Sequence, residues 1–173
     1  MKRKSLFIAA ALCWISFGAP EAAAQSDDSI YLNAITDFPS IESGMAPYYK
    51  DPKHRALAIN AANRDFRGKW AKAETTFNGE NGFYDVTITA LKELDGECAY
   101  RLLLNGEEFG VFTNPETYVN YETSSHTWPK IKISKGDKIA VCSKACSNEK
   151  TPERGGYAWA RGRWRGLQLS PTE

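Results

Sequence analysis

Two stretches of the chain concentrate side chains that can recognise a ligand. The first, from Thr113 to Pro129, carries Asn114, Tyr118, Tyr121, His126 and Trp128. The second runs from Ser143 to Trp159 and carries Asn148, Tyr157 and Trp159, with Arg161 close by in the sequence. Aromatic rings offer flat stacking faces, while Asn and Arg offer directed hydrogen bonds. This mixture suits non-covalent recognition. The ligand-binding candidates are therefore Tyr118, Tyr121, Trp128, Tyr157, Trp159, Arg161, Asn114 and Asn148. Tyr118 and Tyr121 stand among Glu116, Asn120 and Glu122, which favours exposure. A hydrophobic core has as good a claim on Trp128 and Trp164 as a ligand does, and a better one on Trp70.

Bond-breaking chemistry finds less support. Asp95-Gly96-Glu97 offers two carboxylates, but Asp followed by Gly is turn chemistry, and Glu107-Glu108 likewise follows a turn. Glycoside hydrolysis needs two carboxylates facing each other across a cleft, which sequence cannot show. There is no G-x-S-x-G elbow, H-E-x-x-H helix, phosphate loop or dinucleotide fingerprint. No catalytic residue is assigned. The series Arg161, Arg163, Arg165 presents planar forks that match carboxylate or sulfate. The stronger expectation for it is structural: pairing with acids on neighbouring strands, or covering aromatic rings.

Composition narrows the classes further. The chain has 22 basic and 21 acidic residues, a formal charge of +1. A nucleic-acid or anionic-membrane binder needs a strong positive field, so neither partner is expected. Residues 1–24 have the form of an export signal, with Lys2, Arg3 and Lys4, an apolar run from Leu6 to Phe17, and Ala22-Ala23-Ala24 before Gln25. The run is too short to span a bilayer. The expected product, cleaved near Ala24-Gln25, is secreted or periplasmic. Cys98, Cys142 and Cys146 remain, an odd number for an oxidising compartment. Cys142 and Cys146 are close enough in sequence to close a small loop, while Cys98 shares a face with Tyr100 and Leu102 and reads as a buried thiol. His54 and His126 do not pair with cysteines at zinc spacing.

The elements that position these residues read as strands. From Gly82 to Gly110, Tyr84, Val86, Ile88 and Ala90 alternate with Asp85, Thr87 and Thr89. After Asp95-Gly96, Cys98, Tyr100, Leu102 and Leu104 form a second apolar face, and Asn105-Gly106 supplies a two-residue turn. This is expected to be a run of two or three antiparallel strands joined by tight turns. Arg55–Asn60, Trp70–Phe77 and Glu107–Phe112 are further strands, and Ile131, Ile133, Ile139 and Val141 alternate around Lys135-Gly136-Asp137. Tyr157–Leu169 closes the domain as a strand with an irregularity at Gly162. The Ala-rich segment 51–66 is the one place where a helix competes. Residues 25–54, interrupted by Pro39, Pro47 and Pro52, read as a linker or extended arm. The fold class is all-β, an antiparallel β-sandwich or jelly roll over 55–170.

The order of Ala73-Glu74, Tyr84-Asp85-Val86, the strand and turn Tyr100 to Gly106, and the aromatic segment Tyr157 to Trp164 resembles the carbohydrate-binding-module β-sandwich, the galactose-binding-like jelly roll of families six and thirty-five. The resemblance covers about Arg55 to Leu169. It implies a glycan held by edge loops, where aromatic rings meet the C–H face of a pyranose and polar groups meet its hydroxyls. The residues themselves call for no cofactor. The resemblance implies a structural calcium ion between an N-terminal acid, here Glu74, and a C-terminal Asp. The last strand has Arg163, Trp164 and Arg165 instead. The expected function is a secreted, non-catalytic binder of carbohydrate, including acidic polysaccharide. The alternatives are a small carbohydrate-active lyase or hydrolase, and a periplasmic or cell-surface protein-interaction module.

Overall fold

The computed structural model describes residues 28–39 and 45–173. The chain runs β1 (Ile30–Asn33), α1 (Ala34–Asp37), β2 (Tyr48–Asp51), β3 (Ala56–Ile59), a 3₁₀ turn (Arg64–Phe66), β4 (Trp70–Thr76), β5 (Gly82–Leu91), β6 (Ala99–Leu104) and β7 (Glu107–Thr113). It continues with β8 (Thr123–Ile133), β9 (Lys138–Lys144), β10 (Pro152–Glu153), β11 (Gly156–Tyr157) and β12 (Trp164–Thr172). One sheet has the order β2-β3-β12-β5-β8, with β1 also on β12; the other is β4-β9-β6-β7. Strand pairing in both is antiparallel. This is an all-β sandwich. No helix of the described residues is long and apolar enough to cross a membrane.

Period-two alternation puts one face of each sheet inward. Tyr84, Val86, Ile88 and Ala90 on β5 are buried, facing Tyr100 and Leu102 on β6 and Val141 on β9. Trp164 at the start of β12 is fully buried, with Phe38 packed edge-on at 4.9 Å. Paired residues share a face, so Lys72, Cys142 and Arg101 lie together on the outer side of the second sheet.

The segment from Gly82 to Gly110 departs from the expected meander. β5 and β6 belong to opposite sheets, and the turn at Asp95-Gly96 carries the chain between them through a Glu93–Gly96 bridge. Either arrangement buries the same alternating residues, so the pattern could not distinguish them. Within this segment only β6 and β7 form a hairpin; Asn105 (φ 51°) and Gly106 (φ 87°) both take the left-handed conformation its turn requires.

The arm expected over 25–54 is built into the sandwich wherever it is described. β1 pairs with β12, and β2 pairs with β3. Residues 25–27 and 40–44, like the segment 1–24 read as an export signal, lie outside the described residues. The loop expected from Thr113 to Pro129 ends early, because β8 begins at Thr123 and pairs along β5. Segment 51–66 forms β3 and a single 3₁₀ turn rather than a helix. β12 begins at Trp164; Gly162 lies in the approach to it, and the register shift falls between Trp164 and Gly166.

Candidate functional site

The approach to β12 lays Arg161, Gly162 and Arg163 between the ends of β3 and β5. Ile59 N–H donates to Arg161 O, and Leu91 N–H donates to Arg163 O. Gly162 (φ 57°) is needed here, because a Cβ would fall 2.8 Å from Ser143 Oγ. Arg163 is only 4% exposed. Its Nε donates to Asp51 Oδ2 at 2.9 Å, and its Nη1 donates to Glu93 Oε2. Asp51 closes β2, and Glu93 follows β5. His54, in the turn between β2 and β3, sets Nδ1 2.9 Å from Asp51 Oδ2. The carboxylate can only accept this bond, so Nδ1 carries the proton.

Two carboxylates therefore share one buried guanidinium, in different environments. Burial raises the Asp51 pKa, but hydrogen bonds from Arg163 and His54 outweigh it and hold the carboxyl at about 2. For Glu93 burial prevails over the Arg163 charge and the backbone N–H of Arg161, and its pKa is raised.

Tyr121 lies above this network. Arg163 Cζ is 5.2 Å from the centre of its ring, and the His54 ring packs on it at 4.1 Å. Tyr121 has φ 68°, unusual for a bulky residue, and its N–H donates to Lys92 O at 2.7 Å. It is 39% exposed. Beside it, Arg161 donates from Nη1 to Tyr49 Oη at 2.8 Å, and its backbone N–H donates to Glu93 Oε1. The arrangement is a charged network sealed below an accessible aromatic and a cation. Backbone strain at an accessible ring is the kind of feature that collects at binding sites.

The other sequence candidates divide. Tyr118 is 86% exposed in the same loop as Tyr121. Trp128 lies in β8 rather than in a loop; it is 6% exposed, and Gly110 leaves the room its indole occupies. Its expected role as a platform is corrected to a core role. Asn114 is also buried, donating from Nδ2 to Leu91 O at 2.8 Å and to Tyr100 Oη at 3.3 Å, so it ties strands together. Asn148 donates to Leu94 O and Glu97 Oε1, joining the second loop to the turn after β5. Lys150 and Glu116 pair across the two loops. Tyr157 is exposed on β11, while Trp159 is half-buried against the core with Arg67 Cζ 5.4 Å from its ring. Arg67 also lines an open groove with Arg64, Glu153, Arg154 and Gly156, the residue before Tyr157.

Sequence reasoning missed Tyr49, Asp51, His54 and Glu93. The signal for two of them was Asp51-Pro-Lys-His54, where an acid and a histidine three apart flank a proline turn. Glu74, the acid offered for calcium, sits on the outer sheet face with Lys72 Nζ 3.2 Å away. Calcium takes six or more oxygens. Among the described residues no group of three or more His, Cys, Asp or Glu is placed together to hold a metal.

The architecture is that of the carbohydrate-binding-module β-sandwich. The CBM36-1 domain of a multidomain xylanase from the hindgut metagenome of Trinervitermes trinervoides aligns with TM-score 0.50 and 14% identity, covering 84% of this chain and 99% of that domain. That likeness establishes the fold. Among curated proteins, an uncharacterized protein of Formosa agariphila is 34% identical over 128 residues, 72% of this chain. An α-glucuronidase of Hypocrea jecorina is 26% identical over 99 residues. The chain spans 28% of the first and 11% of the second. No family model matches the sequence.

Proposed function

We propose that this chain is an exported, non-catalytic module that binds a glycan on the loop edge presenting Tyr118, Tyr121 and Arg161, with Tyr157 and Trp159 beside it. The observation that carries this is Tyr121, an accessible ring set in a strained backbone over a buried Arg163–Asp51–Glu93 network. A sugar needs such a fixed flat surface with polar groups at its rim. Asp51 and Glu93 are buried and both bound to Arg163, so neither stands free to act as an acid or base toward a substrate. The enzymes among the similar proteins, a xylanase and an α-glucuronidase, act on carbohydrate and lend this reading support.

The finer proposal is an acidic glycan. Arg161 at the edge, and Arg64, Arg67 and Arg154 around the neighbouring groove, are forks suited to uronate or sulfate. The test is retention on a broad panel of immobilised neutral, uronate-bearing and sulfated polysaccharides. Wild type is expected to be retained on at least one. Tyr121→Ala and Trp159→Ala should weaken retention about tenfold or more, as the loss of a good stacking contact would, while each variant still unfolds in one cooperative transition. Retention on no glycan overturns the proposal, and release of reducing ends or unsaturated products would favour an enzyme. Export is checked separately, by finding Gln25 at the N-terminus of protein recovered outside the cytoplasm.

A further inference from the structure

Cys98 and Cys146 come from distant parts of the chain, yet their Sγ atoms are 3.1 Å apart. Cys98 precedes β6 and is buried on its inner face, where Asn114 N–H donates to its carbonyl. Cys146 forms a two-way backbone bridge with Ala160. The bare turn at Gly96 permits the approach, because a Cβ there would lie 2.8 Å from Cys146 Sγ and 2.9 Å from its carbonyl oxygen. Cys142 cannot compete. It is buried on the outer face of the second sheet between Lys72 and Arg101, with the sheet between it and Cys98. The small Cys142–Cys146 loop that sequence spacing allows is therefore not the pairing this fold prepares.

We propose that Cys98 and Cys146 form a disulfide, which fastens the β5–β6 connection to the segment just after β9, itself bridged through Ala160 to the approach to β12. Glu93 lies in the same connection as Cys98, and Arg163 follows Ala160 by three residues, so the bond braces the two sides of the Glu93–Arg163 pair. It would form by thiol–disulfide exchange with a disulfide oxidant, for which glutathione disulfide serves as the probe. Cys146 is the more accessible thiol, whereas burial pushes the Cys98 thiol up, so the Cys146 thiolate attacks first. One sulfur of glutathione disulfide leaves as glutathione thiolate, giving a mixed disulfide on Cys146. Cys98 then loses its proton, bonds to the Cys146 sulfur and expels the second glutathione. The two protons released by the cysteines go to the two glutathione thiolates, and glutathione disulfide takes up the two electrons. The inference does not depend on the glycan reading.

The experiment uses the full chain, reduced and then equilibrated with glutathione disulfide, followed by denaturation and alkylation. Intact mass should show two fewer alkylated cysteines and a loss of about 2 Da, with peptide mapping joining Cys98 to Cys146. Oxidation should raise Tm by about 5 °C or more, since the cross-link spans a long loop. Cys98→Ser and Cys146→Ser should each abolish that rise, and Cys142→Ser should keep it. Unchanged alkylation, or a linked peptide containing Cys142, overturns the proposal. If a serine variant fails to fold, the wild-type mass and peptide map decide alone.

Discussion

Arg163 joins groups that are far apart in sequence, and Asp51 is the member of its network whose titration can be followed. Its carboxyl is held at about 2, against an ordinary value near 3.9 in an unfolded chain. The folded state therefore binds this proton less readily than the unfolded state. The stability contributed by Asp51 is complete above about pH 4 and is lost as pH falls toward about 2. Glu93 has the opposite sign. Its raised pKa favours the folded state at low pH and costs stability as pH rises through the folded value. Between about pH 4 and 2 the Asp51 loss should dominate, because protonating it weakens its bonds to both Arg163 and His54. Wild-type Tm measured over that range should fall more steeply than that of Asp51→Asn, and parallel curves would count against the network. Tyr121 and Arg161 were legible as candidates, since loop aromatics and arginines are visible by type. Asp51 and His54 were not, because they lie in and beside a proline-broken stretch with no period to mark it.

At the level of elements, alternation was enough to find β4 through β7 and to assign the inner faces of β5 and β6. It could not choose the sheet to which each strand belongs, because a turn within one sheet and a corner between two look alike when both flanking strands bury one face. β1 and β2 escaped for another reason. Each has four residues, too few to show a period, and their place comes from pairing with β12 and β3. The misassigned Trp128 depends on a glycine with the same kind of hidden role. Gly110, opposite Leu102 on the inner face of β7, lets the indole reach in from β8. A Cβ there would meet Trp128 Nε1 at 2.7 Å and Cδ1 at 3.0 Å, atoms of a rigid ring that cannot easily yield. Gly110→Val should therefore cost about 1–3 kcal/mol by overpacking. In urea the midpoint should fall with little change in slope. A midpoint equal to wild type would mean that Trp128 does not occupy this space.

Charge acts on the molecule as a whole and separates two ways of holding an acidic glycan. With 22 basic and 21 acidic residues, the full chain has no net field to draw in a polyanion from a distance. Much of its local positive charge is also committed. Arg163 is sealed against two carboxylates, Arg165 donates to His54 O, and Lys92 pairs with Glu122. Near the candidate edge, what can meet a ligand is short-range, centred on Arg161 and on the groove carrying Arg64, Arg67 and Arg154. Such contacts act within a Debye length, about 10 Å at 0.1 M salt, and are only partly screened. Raising salt from about 0.05 to 0.5 M should therefore weaken retention on a polyuronate by only about threefold to tenfold. A polybasic surface would lose far more, and retention on a neutral polysaccharide should hardly change. Arg161→Ala should flatten the salt response on the polyuronate and leave any neutral binding through Tyr121 in place. A steep salt dependence that survives Arg161→Ala would move the acidic-glycan contact away from this edge, without touching the case for an aromatic platform at Tyr121.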